Sequence, residues 1–152
     1  MLRQELNDAL KTAMKAKDER AVSTLRMVLA GLKDKDIAAR TKGVTDGIPD
    51  DEARTVLQNM IRQRRDSIAM YEKGGRAELV KQESEEIAII ERFLPKQMGA
   101  AEIETAAKAV IAELGAKDIK DMGKVMGAMK QRYAGQMDLS QVGAIVKKSL
   151  GA

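Results

Sequence analysis

Residues 121–150 read DMGKVMGAMKQRYAGQMDLSQVGAIVKKSL, and this stretch predicts two short amphipathic helices. Its apolar residues recur at offsets of three and four, as one face of a helix requires. They are Met122, Val125, Met126, Met129 and Tyr133 in the first helix, and Leu139, Val142, Ile145, Val146 and Leu150 in the second. Asp121 and Asp138 are expected to cap the two N-termini, because their carboxylates can accept from free backbone amides. Gly135 and Gly151 are expected to end the helices, since glycine adopts the left-handed conformation readily.

Two glycines in the first of these helices are not explained by its apolar stripe. Gly123 and Gly127 lie one turn apart on a flank away from the stripe, and each costs the helix about 1 kcal/mol relative to alanine. A neighbouring helix that packs closely against the bare backbone is one explanation. An RNA sugar-phosphate backbone is the other, because Lys120, Lys124 and Lys130 flank the glycines and can neutralise phosphate. The sequence leaves both explanations open.

Other basic residues extend the candidate RNA-binding set. Lys147 and Lys148 lie near the end of the second helix, and Arg62 and Arg65 belong to the cluster RQRRDS at residues 62–67. A solvated arginine face is the alternative explanation for that cluster. The candidate RNA-binding residues are Lys120, Gly123, Lys124, Gly127, Lys130, Lys147, Lys148, Arg62 and Arg65.

The same stretch resembles a known family. Residues 123–129, GKVMGAM, and residues 142–150, VGAIVKKSL, are similar to the small helical tail domain of the GatB/YqeY family. The resemblance extends over residues 23–37 and 62–98, so it covers nearly the whole chain and indicates a stand-alone YqeY-like protein. GatB is the subunit of tRNA-dependent amidotransferase whose tail contacts tRNA. The resemblance therefore implies a non-catalytic module that binds tRNA or other structured RNA, in tRNA-dependent amidation or translation.

Two other functions stay open. The resemblance to GatB also allows an accessory component of a carbon-nitrogen ligase that uses glutamine as amido-N-donor. A protein-interaction adaptor without RNA is the third possibility, with a protein partner on the polar second half of the second helix of the chain, DKDIAARTK at residues 34–42.

Catalytic chemistry has few candidate groups in this chain. It contains no histidine and no cysteine, which excludes Ser/His/Asp and Cys/His constellations and cysteine-ligated metals. A P-loop and a G-x-G-x-x-G motif are also missing, and the four serines lie on different predicted helices. We therefore expect no catalytic residues, no cofactor and no metal.

The composition is that of a helical protein. Of 152 residues, 44% are hydrophobic and 33% are charged, whereas only three are aromatic. The net charge of +4 is modest; it suits weak binding to a polyanion but is equally common for solubility. The charged N-terminus and the lack of a long apolar run indicate a cytoplasmic protein without a membrane segment.

The chain is predicted to be all-α, with four helices in residues 1–96 and a three-helix tail domain in residues 97–152. The first five predicted helices are Leu2–Lys15, a helix capped by Asp18 that runs to about Lys42, a helix capped by Asp50 that runs to about Lys73, Ala77–Leu94, and Ala101–Leu114. Pro95 marks the boundary, because a proline disfavours helical conformation in the residue before it.

The third and fourth predicted helices form a hairpin around Gly74 and Gly75. Arg64 and Glu83 interrupt the two apolar stripes at nearly the same distance from this turn, which predicts a structural ion pair between them. A catalytic carboxylate is the rival interpretation of Glu83, but no nucleophile or second acid is placed beside it.

Overall fold

The computed structural model describes residues 1–151, and these residues form seven α-helices. In chain order they are α1 (Leu2–Lys15), α2 (Glu19–Arg40), α3 (Asp50–Lys73), α4 (Ala77–Glu91), α5 (Ala100–Leu114), α6 (Met122–Arg132) and α7 (Leu139–Ser149). One turn of 3-10 helix, Ile119–Asp121, precedes α6. Since no strand occurs in this part of the chain, the all-α prediction is confirmed.

The chain divides into two compact units between Leu94 and Pro95. The first unit contains α1 to α4 and the second contains α5 to α7. The boundary predicted after residue 96 lies two residues further along the chain.

Helix α2 is central to the first unit, because it packs against α1, α3 and α4. Leu25, Val28 and Leu32 on its inner face are at most 1% exposed. The other buried apolar residues of this core are Leu2, Leu6, Ala13, Ala21, Ile48, Ala53, Leu57, Ile61 and Ile90. Val28 is fully buried, whereas the next residue, Leu29, is partly buried against the same core.

Asp36 connects the second half of α2 to the rest of its unit. One of its carboxylate oxygens accepts from the backbone N–H of Ile48 at 2.8 Å and from the guanidinium of Arg3 on α1. Arg3 also donates to the Ile48 carbonyl at 2.9 Å. This segment was expected to be polar nearly all round, yet one of its carboxylates is used to hold α1 and the loop before α3.

The second unit is a three-helix bundle in which each helix contacts the other two. Its core is built from aliphatic residues and methionines: Ile103, Ala106, Ala107, Val110, Val125, Met129, Met137, Val142, Val146 and Leu150. Gly115 ends α5 in the left-handed conformation (φ 64°). α6 ends earlier than expected, at Arg132, and Gly135 (φ 76°) lies in the turn that follows.

Two of the four predicted caps have a different role. Asp18 and Asp138 accept from backbone amides at 3.2 and 3.0 Å in the first turns of α2 and α7, as predicted. Asp50 instead lies inside α3 and accepts from the Leu2 N–H at 3.2 Å. Asp121 accepts backwards from the Lys117 N–H at 3.0 Å, so it closes the loop before α6 rather than the first turn of that helix.

Two burial predictions also fail at helix ends. Leu139 was placed in the apolar stripe of α7, but it is 40% exposed because it is the first residue of the helix. α4 was expected to reach Leu94 but ends at Glu91, and Ile90 is its only fully buried residue among those described.

Candidate nucleic-acid interface

The outer surface of α6 presents bare backbone to solvent. Gly123 and Gly127 are exposed, and a Cβ atom built on either of them would have no heavy atom within 4 Å beyond its own surroundings in the helix. Of the two explanations for these glycines, a closely packed helix is therefore not found within residues 1–151. The buried side of α6 is formed by Val125 and Met129.

Three predicted lysines border this glycine face, and all of them are exposed. Lys120 lies in the 3-10 turn before α6, Lys124 in the first turn of α6 and Lys130 in its last turn. Positive charge in a last turn also interacts favourably with the helix dipole. The dipole therefore gives Lys130 a structural role of its own, whereas it does not explain Lys124.

The other predicted residues do not all belong to this surface. Lys147 and Lys148 are exposed in the last turn of α7, within the second unit. Arg62 and Arg65 are exposed on α3, in the first unit, and Arg65 lies 3.3 Å from the Glu91 carboxylate. The candidate set is thus distributed over two units, and only its α6 members surround the glycines.

Local acidic residues reduce the positive charge of α6 at both ends. Arg132 pairs with Glu113 of α5, and this hydrogen bond holds the pKa of the Glu113 carboxyl below its ordinary value. Hydrogen bonding from the Lys117 amide similarly lowers the pKa of Asp121. Both carboxylates are therefore engaged. Asp121 also interacts electrostatically with Lys124, which together with Lys130 provides the positive charge on the surface of α6.

A second cluster of charge lies in the first unit, between α3 and α4. The residue Arg64 is only 9% exposed. Its Nε lies 3.0 Å from Oε2 of Glu86 and 3.8 Å from Oε2 of Glu83. The predicted partner Glu83 is thus within ion-pair distance, but the hydrogen-bonded partner is Glu86, one turn further along α4.

The two terminal nitrogens of the Arg64 guanidinium each have a partner as well. Nη1 donates to the Met60 carbonyl at 3.0 Å, and Nη2 lies 2.8 Å from the Met27 sulfur. Arg20 of α2 approaches the same acidic group from the other side, with its Nη1 3.8 Å from Glu86. This arrangement satisfies a buried cation, which is the condition for a buried ion pair to be tolerated.

Glu83 has a shifted pKa in this cluster. Burial raises the pKa of Glu83 above its ordinary value, and the adjacent Glu86 carboxylate raises it further, while Arg64 opposes both effects. A raised carboxyl pKa can indicate a general acid. Here the shift has a structural cause, because the burial of Glu83 and the nearby Glu86 carboxylate account for it.

Glu86 was missed because the sequence argument matched residues by their distance from the hairpin turn. Glu83 and Glu86 are three residues apart and so share one face of α4. This spacing makes both glutamates candidates for the ion pair. Only the structure shows that Glu86 is the one hydrogen-bonded to Arg64.

Clustered metal ligands and helices suited to cross a membrane are both absent from residues 1–151. No group of three or more carboxylates in this range is arranged to hold a metal ion. None of the helices in the described part of the chain combines the length and apolar character of a membrane span.

Comparison with known proteins places the chain in a family. Residues 3–150 match the YqeY-like protein family over nearly the whole sequence. The chain belongs to this family. This match does not show the relation to the GatB tail, which stays a sequence-based prediction.

Curated relatives of this YqeY-like chain come from yeasts. It is similar to the protein named "Altered inheritance of mitochondria protein 41, mitochondrial" from Lachancea thermotolerans, with 38% identity over 103 residues, 68% of this chain and 53% of the relative. The protein of the same name from Kluyveromyces lactis is 36% identical over 105 residues, 69% of this chain and 55% of the relative. The chain spans about half the length of the curated relatives it matches.

The predicted cytoplasmic location is contradicted by these relatives, which are mitochondrial proteins by name. The prediction rested on the absence of an apolar segment in the chain. The lack of such a segment carries no information about the compartment in which a protein is located.

Proposed function

We propose that this YqeY-like chain is a non-catalytic helical module that binds tRNA or other structured RNA through the glycine face of α6. The observation that carries the proposal is the open space over Gly123 and Gly127. Each glycine lowers helix stability by about 1 kcal/mol relative to alanine, and no packing contact in the described residues requires it. A ligand that approaches the backbone closely is a physical reason to keep them.

The surroundings of the glycines fit a phosphate backbone. Lys120, Lys124 and Lys130 are exposed beside them, and lysine side chains neutralise phosphate without reading sequence. The whole chain has only three aromatic residues, so stacking of single-stranded bases is poorly supported. Recognition by shape and by phosphate contacts, as for folded RNA, suits this surface better.

The names of the relatives contain no reference to RNA, so the proposal depends on the α6 surface and on the resemblance of residues 123–150 to the GatB tail. That resemblance also supplies the proposed setting, which is tRNA-dependent amidation or translation. No geometric observation favours the ligase accessory or the adaptor.

The test is tRNA binding by the full chain at a series of KCl concentrations, followed by the anisotropy of labelled tRNA. Phosphate neutralisation releases counterions, so the logarithm of the binding constant should fall linearly with the logarithm of salt concentration. The double variant Lys124→Gln/Lys130→Gln should bind more weakly, with a slope shallower by about 0.7 to 0.9 for each phosphate that is no longer neutralised.

The matched control is Lys73→Gln/Lys81→Gln, which removes the same charge from exposed positions on α3 and α4. It should retain most of the affinity. Equal losses of affinity in the two double variants would mean that net charge alone drives binding, and absence of tRNA binding by the parent would overturn the proposal. Glutaminase activity that appeared only with added partner subunits would instead favour the ligase accessory.

A further inference from the structure

The outer face of α2 carries a regular row of cations. Arg26, Lys33 and Arg40 follow one another at intervals of seven residues, and all three are exposed. Seven residues are nearly two helical turns, so these side chains leave the helix in similar directions. At 1.5 Å per residue the row extends over about 21 Å. We call these three residues the α2 row.

The row lies opposite the core and is flanked by small or isolated apolar residues. Leu25, Val28 and Leu32 occupy the buried side of the same helix. Ala30 and Ile37 stand between the cations on the outer side, where Ile37 is 47% exposed. No acidic residue interrupts the row itself.

The segment of the chain that carries the α2 row has more unpaired positive charge than its composition suggests. Residues 26–42 contain five basic and two acidic side chains. One of the two acids, Asp36, is occupied by Arg3 and by the Ile48 amide, which leaves Asp34 as the other carboxylate. Within residues 1–151, no carboxylate lies within ion-pair distance of the three cations of the α2 row.

An open cleft continues the row toward the start of α2. It has a volume of about 290 Å³ and is lined by Lys17, Glu19, Val22, Ser23 and Arg26. Lys17 therefore adds a fourth cation beyond Arg26, although Glu19 shares the cleft. Ser23 also lines the cleft, and its hydroxyl donates to the Arg20 carbonyl at 3.1 Å.

We infer that the α2 row is a second contact surface for structured RNA, in the first unit of the chain. The inference rests on the proposed function for the class of ligand, but its residues and its unit are different from those of the α6 face. Each cation would neutralise one phosphate, and the straight, convex helix would follow a duplex backbone by shape.

Other occupants fit the α2 row less well. Protein interfaces are centred on buried apolar or aromatic anchors, whereas Ile37 is the one large apolar residue between the cations. Surface-bound membrane helices expose an apolar face to lipid, but the apolar face of α2 is already buried in its own core.

The experiment compares three triple variants of the full chain, each with three charges removed. Arg26→Gln/Lys33→Gln/Arg40→Gln tests the α2 row, and Lys120→Gln/Lys124→Gln/Lys130→Gln tests the α6 face. Lys73→Gln/Lys81→Gln/Lys96→Gln is the control at exposed positions elsewhere. Binding of a labelled tRNA transcript is measured against KCl concentration, and poly-glutamate serves as a second polyanion.

The α2 row variant should show a salt slope shallower by about 2 to 3 than the parent, which corresponds to three phosphates that are no longer neutralised. The control should change the slope by less than the amount expected for one phosphate. If the α2 row variant binds tRNA like the control, the inference is wrong. If only the α6 variant loses affinity, the proposed function of the α6 face still stands. The opposite pattern, with weaker binding confined to the α2 row variant, would contradict the α6 face as an RNA contact and support the α2 row.

The poly-glutamate arm separates RNA from an acidic protein surface. The parent should prefer tRNA, because RNA has the rigid phosphate spacing that a flexible polypeptide lacks. Equal affinity for poly-glutamate, abolished in the α2 row variant, would contradict RNA as the occupant and indicate an acidic protein partner. Circular dichroism melts should coincide for the four proteins, since the substituted positions are exposed.

Discussion

Arg64 of α3 is hydrogen-bonded to Glu86 of α4, with 3.0 Å between Nε and Oε2, while Glu83 lies at 3.8 Å from the same nitrogen. The side chains of Arg64 and Glu86 are 11% and 14% exposed. A pair so far removed from water contributes little net stability, but either member alone is costly. The two glutamates should therefore respond very differently to substitution.

Glu86→Ala should lower the free energy of unfolding of the first unit by about 3 kcal/mol, because it leaves Arg64 without its hydrogen-bonded carboxylate. Glu83→Ala should have a much smaller effect, since Glu86 stays in place. Urea denaturation at neutral pH measures both. Replacing the pair together, with Arg64→Met and Glu86→Leu, should be milder than Glu86→Ala alone.

Glu85→Ala is the matched control for this prediction. Glu85 pairs with Arg20 at 3.3 Å but is 44% exposed, so its removal should change stability by no more than about 1 kcal/mol. Equal and small effects of Glu85→Ala and Glu86→Ala would show that water reaches Arg64.

The Arg64 cluster illustrates what spacing can and cannot predict. Counting from Gly74 and Gly75 placed Arg64 opposite the correct turn of α4, because a short loop forces the helices to pack antiparallel. The choice between Glu83 and Glu86 depends on side-chain direction and on the approach of Arg20 from α2. Long-range packing decides both of these factors, and the local sequence pattern gives no information about either.

The helices show the same contrast between what the local sequence pattern predicts and what long-range packing decides. The periodicity predicted all seven helices, since the apolar stripes are formed by local spacing. Capping by Asp50 and Asp121 was wrong, because the direction of the chain before each helix decides where a carboxylate points. In the candidate site, the glycines and lysines of α6 were found from the sequence, whereas the open space over the glycines could only be found from the structure.

The titration of Glu83 should be visible in the pH dependence of stability. Its pKa is raised in the folded chain above the ordinary value of 4.5 by burial and by Glu86, so the folded state binds a proton more readily than the unfolded state. The ionised form therefore costs stability at neutral pH, and this cost disappears as pH falls through the raised pKa toward 4.5.

Glu83→Gln should consequently be more stable than the parent at neutral pH, and the difference should shrink as pH falls through that window. Urea denaturation of both proteins at several pH values measures the difference. A difference that stayed constant with pH, or grew as pH fell, would contradict a raised pKa for Glu83.

Thr24 should be replaceable by valine with a gain in stability. It is 2% exposed in α2, and its hydroxyl oxygen has no hydrogen-bond partner among the described residues. A buried hydroxyl without a partner costs about 1 to 3 kcal/mol, and valine has nearly the same shape. Thermal melts of Thr24→Val should show a gain of about 1 kcal/mol, whereas a decrease in stability would indicate a polar partner for the hydroxyl. Ser23→Ala at the neighbouring exposed position is the control and should change little.

Substituting a glycine tests whether another part of the chain packs closely against it. Gly31 of α2 is the reference for a glycine at a helix contact. A Cβ atom at Gly31 would overlap the terminal methyl of Met60 on α3. This methyl is the far end of a flexible side chain and can move, so Gly31→Ala should cost little, whereas the larger Gly31→Leu should overpack the contact and cost about 1 to 3 kcal/mol. This variant establishes how a glycine at a close helix contact responds in this chain.

Gly127 should behave in the opposite way, because no heavy atom lies within 4 Å of a Cβ built there. Gly127→Ala should raise the stability of the second unit by about 1 kcal/mol through helix propensity alone, and Gly127→Leu should fold at least as stably as the parent. Thermal melts without RNA measure these changes. If RNA approaches this backbone, the leucine variant will lose tRNA affinity while its melt stays unchanged or improves. A destabilised Gly127→Leu protein would contradict the open surface, and a stable one with unchanged tRNA binding would remove Gly127 from the RNA contact.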